Sequence, residues 1–236
     1  MRKIFLLLAV ITVIGSASLR AQDKDKERIE GSGNVVTKEV KVQSFDQLNV
    51  TGVFSLVLKQ GGSEEVKIEA DDNLQSLFEV SNDGSKLVIA MKKNVNFNSK
   101  TKIKVYVTFK KLKSMDLKTV GNVSADQSLS FDDLEIDNKS VGTIDLKLTA
   151  QSLNIENKSV GDVRLSGKAD NVVIKNNGVG SIKAADFLVQ KMDIDNNGVG
   201  SAEVNAEKEL KVKDNFLGKV SNKGNATAKR INKVVI

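Results

Sequence analysis

No cysteine, histidine, proline or tryptophan occurs in this sequence, and its aromatic side chains are one tyrosine and nine phenylalanines among 236 residues. Without cysteine there is no disulfide, no thiolate nucleophile and no thiolate zinc site. That absence does not place the protein in the cytosol, since many exported bacterial proteins carry no disulfide. Without histidine the chain lacks the usual general base near neutral pH and the commonest transition-metal ligand. Few enzymes are built without both, and no indole is available to stack on a sugar ring. Lysines are interleaved with Asp and Glu, so neither charge pattern nor aromatic content fits a nucleic-acid partner. No cofactor and no metal site is expected.

What is present begins with a leader. Met1-Arg2-Lys3 is a cationic start, residues 4–14 are apolar apart from Thr12, and small residues follow at Gly15, Ser16, Ala17 and Ala21. This is the layout of a secretory signal peptide, with an apolar run too short for an ordinary membrane span. The expectation is a signal peptide over 1–21, cleaved after Ala17 or Ala21, and no transmembrane segment afterwards. Export to the periplasm, the outer-membrane surface or the exterior follows. Loss of Arg2, Lys3 and Arg20 takes the formal charge from +6 to +3, consistent with a mixed, solvated surface.

Residues 22–30 are polar and aperiodic, a flexible lead-in. Strand-like alternation starts at 35–42, and two apolar runs broken at Gly52 follow. Gly61-Gly62 marks a turn, and 65–70 alternates at period two. Residues 71–78 read as a short helix capped by Asp71 or Asp72, with Leu74, Leu77 and Phe78 on one face. Beyond the turn Asn82-Asp83-Gly84 come a strand at 86–91, a polar loop at 92–100 and a strand at 102–109. No linker interrupts these signals, so a single domain over 31–236 is expected.

From about residue 112 to 222 the chain repeats itself. LEIDNKSVGTIDL, LNIENKSVGDVRL, VVIKNNGVGSIKA, MDIDNNGVGSAEV and LKVKDNFLGKVSN share one pattern, and MDLKTVGNVSA is a degenerate earlier copy. The glycines fall at Gly121, Gly142, Gly161, Gly180, Gly200 and Gly218, a period of 18–21 residues. Period-two alternation inside each copy means strands, and so short a unit buries its apolar side only by stacking on its neighbours. The fold class is therefore all-β, a right-handed parallel β-helix. Three aliphatic columns are expected inside it: Ile136, Ile155, Ile174, Ile194, Val212; Ile144, Val163, Ile182, Ala202, Val220; and Val141, Val160, Val179, Val199, Leu217. Asn138, Asn157, Asn176, Asn196 and Asp214 form a polar column suited to an amide ladder. The glycine column is expected at corners that need positive φ or close backbone approach.

The blocks GSGNVVTKEVKVQSFDQLNVTGVFSLVLKQG, EEVKIEADDNLQSLFEV, LVIAMKK and KIKVYVTFKKLKSMDLKTVGNVSAD resemble, in order and spacing, the auto-transporter adhesin head GIN domain family. The resemblance spans residue 31 to the carboxyl end. It implies a right-handed parallel β-helix in an exported protein of a Bacteroidetes-type bacterium, and it brings no catalytic or ligand residues. The corners here read Asn-Lys-Ser-Val-Gly or Asn-Asn-Gly-Val-Gly, where the family often shows a Ser-Gly-Ser-Gly type.

Three functions are open to such a chain. The first is a non-enzymatic module of the cell envelope that presents a flat β-helix surface to a protein or glycan. The second is a scaffold whose coils self-associate into a homo-oligomer. The third is a polysaccharide-degrading enzyme, which needs two carboxylates across a groove. Its candidates are Asp137, Glu156 and Asp195 in one outward column and Asp145 and Glu203 in another. Lys175, Lys213, Arg164 and Lys183 share those columns, which is ordinary sheet dressing. The pairs Asp71-Asp72 and Asp132-Asp133 could hold calcium, but they read more simply as turns or caps.

Overall fold

The computed structural model describes residues 28–231 except Phe216. The expected signal peptide, 1–21, and most of the expected lead-in lie outside the described residues. In chain order the first strands are β1 (Arg28–Glu30), β2 (Val35–Val40), β3 (Gln47–Gly52), β4 (Ser55–Gln60), β5 (Glu65–Asp71), β6 (Phe78–Asp83), β7 (Lys86–Met91), β8 (Asn96–Asn98) and β9 (Lys104–Phe109). The repeats supply β10 (Ser114–Thr119), β11 (Val123–Ala125), β12 (Leu129–Asn138), β13 (Ile144–Asn157), β14 (Val163–Asn176), β15 (Ile182–Asn196), β16 (Ala202–Asp214), β17 (Val220–Asn222) and β18 (Ala228–Arg230).

From β12 to β16 each strand pairs in parallel with the next, Ile136 on Ile155 on Ile174 on Ile194 on Val212. The second aliphatic column is in register too, Ile144 on Val163 on Ile182 on Ala202 on Val220. Both columns are buried. The result is a parallel β-helix of about six turns. Unequal repeat lengths are absorbed where the register shifts, between Arg164 and Ser166 and between Lys183 and Leu188. The segment from the asparagine to the glycine keeps its register in every copy down to Asn196. One hydrophobic core runs through the whole stack, from Phe45 to Ala226.

The amino-terminal half is less regular than simple coil stacking would give. β3 and β4 form a rung lying between two others, β7 and β9 on one side and β10 and β11 on the other. Sequence order and stacking order therefore differ. Beyond β7 and β9 the pairing turns antiparallel: β6 closes on β7, β5 on β9, and β2 on β5. A separate pair, β1 with β8, is parallel. The chain crosses to the far side of the β3–β4 rung at residues 110–113, where the Lys113 amide donates to the Asp46 carbonyl and its ammonium lies 2.7 Å from the Asp46 carboxylate.

The expected helix is a single 3-10 segment, Asp72–Leu77, with Leu74 and Leu77 buried. Phe78 leaves it and starts β6. Asp71 stands at its N-cap position but makes no side-chain cap bond. Its carboxylate instead accepts from the Thr101 hydroxyl at 2.7 Å and the Lys100 amide at 3.1 Å. The expected polar loop at 92–100 also contains a strand, β8.

Candidate functional site

The asparagine column faces the interior at the corner after each second strand. Asn138 Nδ2 donates to Asn157 Oδ1 at 2.7 Å, Asn157 to Asn176 at 2.7 Å, and Asn176 to Asn196 at 2.6 Å. All four are buried. Asp214 is in register with Asn196 but departs from the expected ladder: Asn196 Nδ2 donates to the Gly218 carbonyl instead. The Asp214 carboxylate accepts from the Val220 amide and from Arg230. The amide run therefore ends at Asn196, on the Gly218 carbonyl, and the Asp214 carboxylate serves other donors.

Gly121, Gly142, Gly161, Gly180 and Gly200 all have φ between 131° and 150°, and Gly218 is not among the positive-φ corners. Contact is the stricter constraint. A Cβ on Gly161 would sit 2.2 Å from the Gly142 carbonyl oxygen, and one on Gly180 would sit 2.2 Å from that of Gly161. From Gly142 to Gly200 each glycine rests on the one before it, while Gly121 rests on the Phe54 carbonyl and Gly218 on that of Asn196.

The third aliphatic column is a correction. Val141, Val160, Val179, Val199 and Leu217 do not face the interior: they are 49–60% exposed. Inward positions recur at every second residue through the corner (Ile136, Asn138, Ser140, then Ile144, Leu146), so residue 141 must point outward. The parity is visible in the sequence and was the signal that could have placed this column. Val53 and Val120 extend it at the amino-terminal end, at 47% and 51% exposure. Seven aliphatic side chains thus form a ridge along one edge of the helix, at a step of ~4.8 Å per rung. The ridge backbone is pinned on both sides in the middle coils: Val160 bonds Ser140 and Gly142 of the preceding coil through its amide and carbonyl, and the adjoining Ser159 carbonyl and Gly161 amide bond Val179 of the next. Valine is also stiff at χ1. The surface is rigid before anything meets it.

At the Val53–Val120 end the ridge opens into a groove of about 540 Å³. Buried Phe54 and Ile103 lie under it, and its wall is the segment around β8, with half-buried Val95 and Phe97 and exposed Asn96, Asn98 and Lys102. That wall is fastened at its back. The Gly31 amide donates to the Asn98 carbonyl at 2.8 Å, and Asn98 Nδ2 to Glu30 at 2.9 Å. Asp71 clamps the following turn through Thr101 and Lys100. The Thr101 hydroxyl, helped by the Lys100 and Gly33 amides, holds the Asp71 carboxyl below its ordinary 3.8 against the opposing effect of burial. Asp72 is likewise filled with donors, Asn34 Nδ2 at 2.9 Å and the Asn73 amide at 2.7 Å among them. These aspartates hold protein donors where the sequence reading allowed calcium.

The carboxylates considered for glycoside hydrolysis do not converge. Asp137 and Glu156 are register neighbours on an outward face, each paired with the lysine two positions on, Lys139 and Lys158. Asp195 pairs with Lys213 at 2.8 Å and Glu203 with Lys223 at 3.0 Å, while Asp145 is exposed. Asp137 shares a shallow depression with Asp116 and Glu135, and none of the other four candidates reaches it. Asp132 and Asp133 are exposed, with Lys111 3.9 Å from Asp132. Among the described residues no three metal-ligating side chains gather as a cation site.

A family model described as "Putative auto-transporter adhesin, head GIN domain" matches residues 44–226. Among solved structures, a putative adhesin from Bacteroides fragilis is 28% identical, with a TM-score of 0.74 over 86% of this chain and 100% of that one. A putative lipid binding protein from Parabacteroides distasonis (17% identity, TM-score 0.55, 87% of this chain and 100% of that one) shares the fold. So does a putative adhesin from Parabacteroides merdae (18% identity, TM-score 0.53, 87% and 99%). No curated protein matches the chain.

Proposed function

The chain belongs to the auto-transporter adhesin head GIN domain family, and from that premise we propose that residues 31–236 are a single exported, non-enzymatic binding module of the cell envelope. The groove beside β8 is its ligand site, and a glycan is the ligand class it fits. The observation that carries the reading is the groove's composition. An apolar floor of Phe54 and Ile103, a half-buried Phe97 and a rim of Asn96, Asn98 and Lys102 combine apolar contact with amide and ammonium donors. Sugars present both an apolar ring face and hydroxyl acceptors, so they match such a lining.

Several features support the non-enzymatic part. Histidine and cysteine are absent, and the candidate acids are spread along outer faces, four of the five tied to lysines. The family and the B. fragilis structure are named as adhesins. Export rests on the leader-like residues 1–21 and on the family. Among the described residues no helix is long and apolar enough to cross a membrane.

A glycan array and an envelope-protein pull-down with the purified protein test the reading. Binding to a defined glycan class, lost in Phe97→Ala and weakened in Lys102→Ala, is the expected result. Turnover of any polysaccharide would sink it, and so would binding that Phe97→Ala leaves untouched.

A further inference from the structure

The groove wall stands outside the main stack. β8 has one strand partner, β1, and the two form a sheet of their own, with Arg28 beside Asn96, Ile29 beside Phe97 and Glu30 beside Asn98. The wall turns off the body near Asn94, the one non-glycine residue with positive φ (60°) among the described residues. Between residues 93 and 102, the hydrogen bonds that leave the wall go to residues 28–31 or to Asp71. The two residues after Asp71 grip the amino-terminal arm, residues 28–34. Asn73 Oδ1 accepts from the Ser32 amide at 3.0 Å and its Nδ2 donates to the Glu30 carbonyl at 2.8 Å. Asp72 accepts from the Ser32 hydroxyl and from Asn34 Nδ2.

We infer that arm and wall are one flap, that Asp71-Asp72-Asn73 latches both halves to the body, and that this latch regulates the groove. The halves are joined in two ways. A two-stranded sheet does not stand alone in water, so loosening either strand frees the other. Gly31 is the point where arm, wall and latch meet: its amide donates to the Asn98 carbonyl, and a Cβ there would sit 1.9 Å from Asp71 Oδ2. Half-buried Ile29, Val95 and Phe97 seat the flap on the core. The arm also orients a rim group, since Asn98 Nδ2 is turned to Glu30 at 2.9 Å. A ligand held between Phe54 and Phe97 meets both only in the latched state, so ligand and latch stabilise each other reciprocally. A cut or a load on residues 28–34 then opens the groove from behind. The control of binding rests on the groove being the ligand site; the coupling of arm to wall does not.

Two substitutions that each touch one half test the coupling. Asn73→Ala removes side-chain bonds to the arm alone, and Thr101→Val removes a side-chain bond between wall and latch alone. Amide hydrogen exchange on the full chain should speed at least ~10-fold in both 28–34 and 95–101 in either variant, with β13–β15 unchanged. Because the chain has no tryptophan, Phe97→Trp places a single indole in the wall, and its quenching by acrylamide should rise when Asn73→Ala is added. Gly31→Ala, which drives the Asp71 carboxylate off its donors, should loosen both segments and weaken binding on the glycan array at least ~10-fold. Circular dichroism checks that the stack survives. Loosening of the arm alone by Asn73→Ala, or of the wall alone by Thr101→Val, overturns the inference. So does unchanged exchange in both segments, or faster exchange that spreads equally to β13–β15. An array that retains no glycan sinks the ligand reading and leaves the exchange result to decide the flap; glycan held equally by Gly31→Ala with both segments loosened overturns the regulation.

Discussion

Replacing Asn157 with alanine should cost far more than its size suggests. The amide takes part in three side-chain bonds: it accepts from Asn138 at 2.7 Å and from the Ser159 hydroxyl at 2.8 Å, and donates to Asn176 at 2.7 Å. Alanine leaves the Asn138 amide as a buried donor with its acceptor gone. Asn176 keeps the Gly178 amide, at 3.2 Å, as a weaker donor. Each orphaned buried group costs about 1–3 kcal/mol, and the lost Ser159 bond adds about 1 kcal/mol, giving roughly 4 kcal/mol together. At this chain length that is a fall in Tm of roughly 10 °C. Urea unfolding followed by circular dichroism measures it. Val160→Ala, three residues on but exposed, is the control and should stay within ~0.5 kcal/mol. Amide hydrogen exchange should localise the loss to the corners of the neighbouring coils. A cost below ~1 kcal/mol for Asn157→Ala would mean that backbone pairing alone holds the corner, and the ladder reasoning would be wrong.

Two further outcomes follow from the same coordinates. Gly161→Ala should cost more than ~3 kcal/mol or prevent folding, because its Cβ meets a neighbouring carbonyl at 2.2 Å. Gly84→Ala, with φ of 58° but nothing within 4 Å, should cost only about 1 kcal/mol, and equal losses in a paired denaturation series would refute the contact argument. Stability should also hold a plateau against pH. Asp46, Glu64, Asp71, Asp72 and Asp162 are held below their ordinary 3.8 or 4.5, chiefly by hydrogen bonds from Lys113, Lys110, Thr101, Ser32 and Lys183 in turn. Burial pushes Asp214 up, but bonds from Arg230 and the Val220 amide outweigh it and lower it too. Depressed carboxylates stabilise the fold above their unfolded values and lose that contribution as pH falls through the folded ones. Lys67, Lys104, Lys113 and Lys139 are raised above 10.5 by the hydrogen bonds they donate to Glu39, Glu69, Asp46 and Asp137, so their contribution is lost as pH climbs past that value. Tm should therefore be flat between these limits and fall on both sides. Asp71→Asn should flatten the acid limb.

How much could be read beforehand depended on how local the information is. Column identity along 112–222 is local, since Ile136, Ile155 and Ile174 announce their stacking by recurring at one spacing. The same spacing misled for Val141, because uniformity down a column says that positions stack and says nothing about which side they face. Counting parity from Ile136 would have decided it. Asp214 occupies an asparagine position in the pattern, yet its carboxylate is taken by Arg230 and the Val220 amide, and the ladder ends at Asn196. Other features lie beyond any local reading. That β3 and β4 sit between a later rung and a still later one, and that β2, β5 and β6 pair antiparallel, depends on contacts across tens of residues. The groove wall at 92–100 looked like a polar loop because Val95 and Phe97 are isolated there, and only pairing with β1 makes them a wall.

The rung order β7, β3, β10 also gives the molecule a direction of growth. The β3–β4 rung is occupied on both flanks, and the antiparallel strands seal the stack beyond β7 and β9. Once residues up to 125 are in place, a single stacking edge remains open, at β10 and β11. Each later coil finds its template already laid down by the coil before it, and its glycine corner fits only against the preceding corner. For a chain threaded amino end first across a membrane, assembly and emergence run in the same direction beyond residue 125, and no later coil waits for a partner that has yet to emerge.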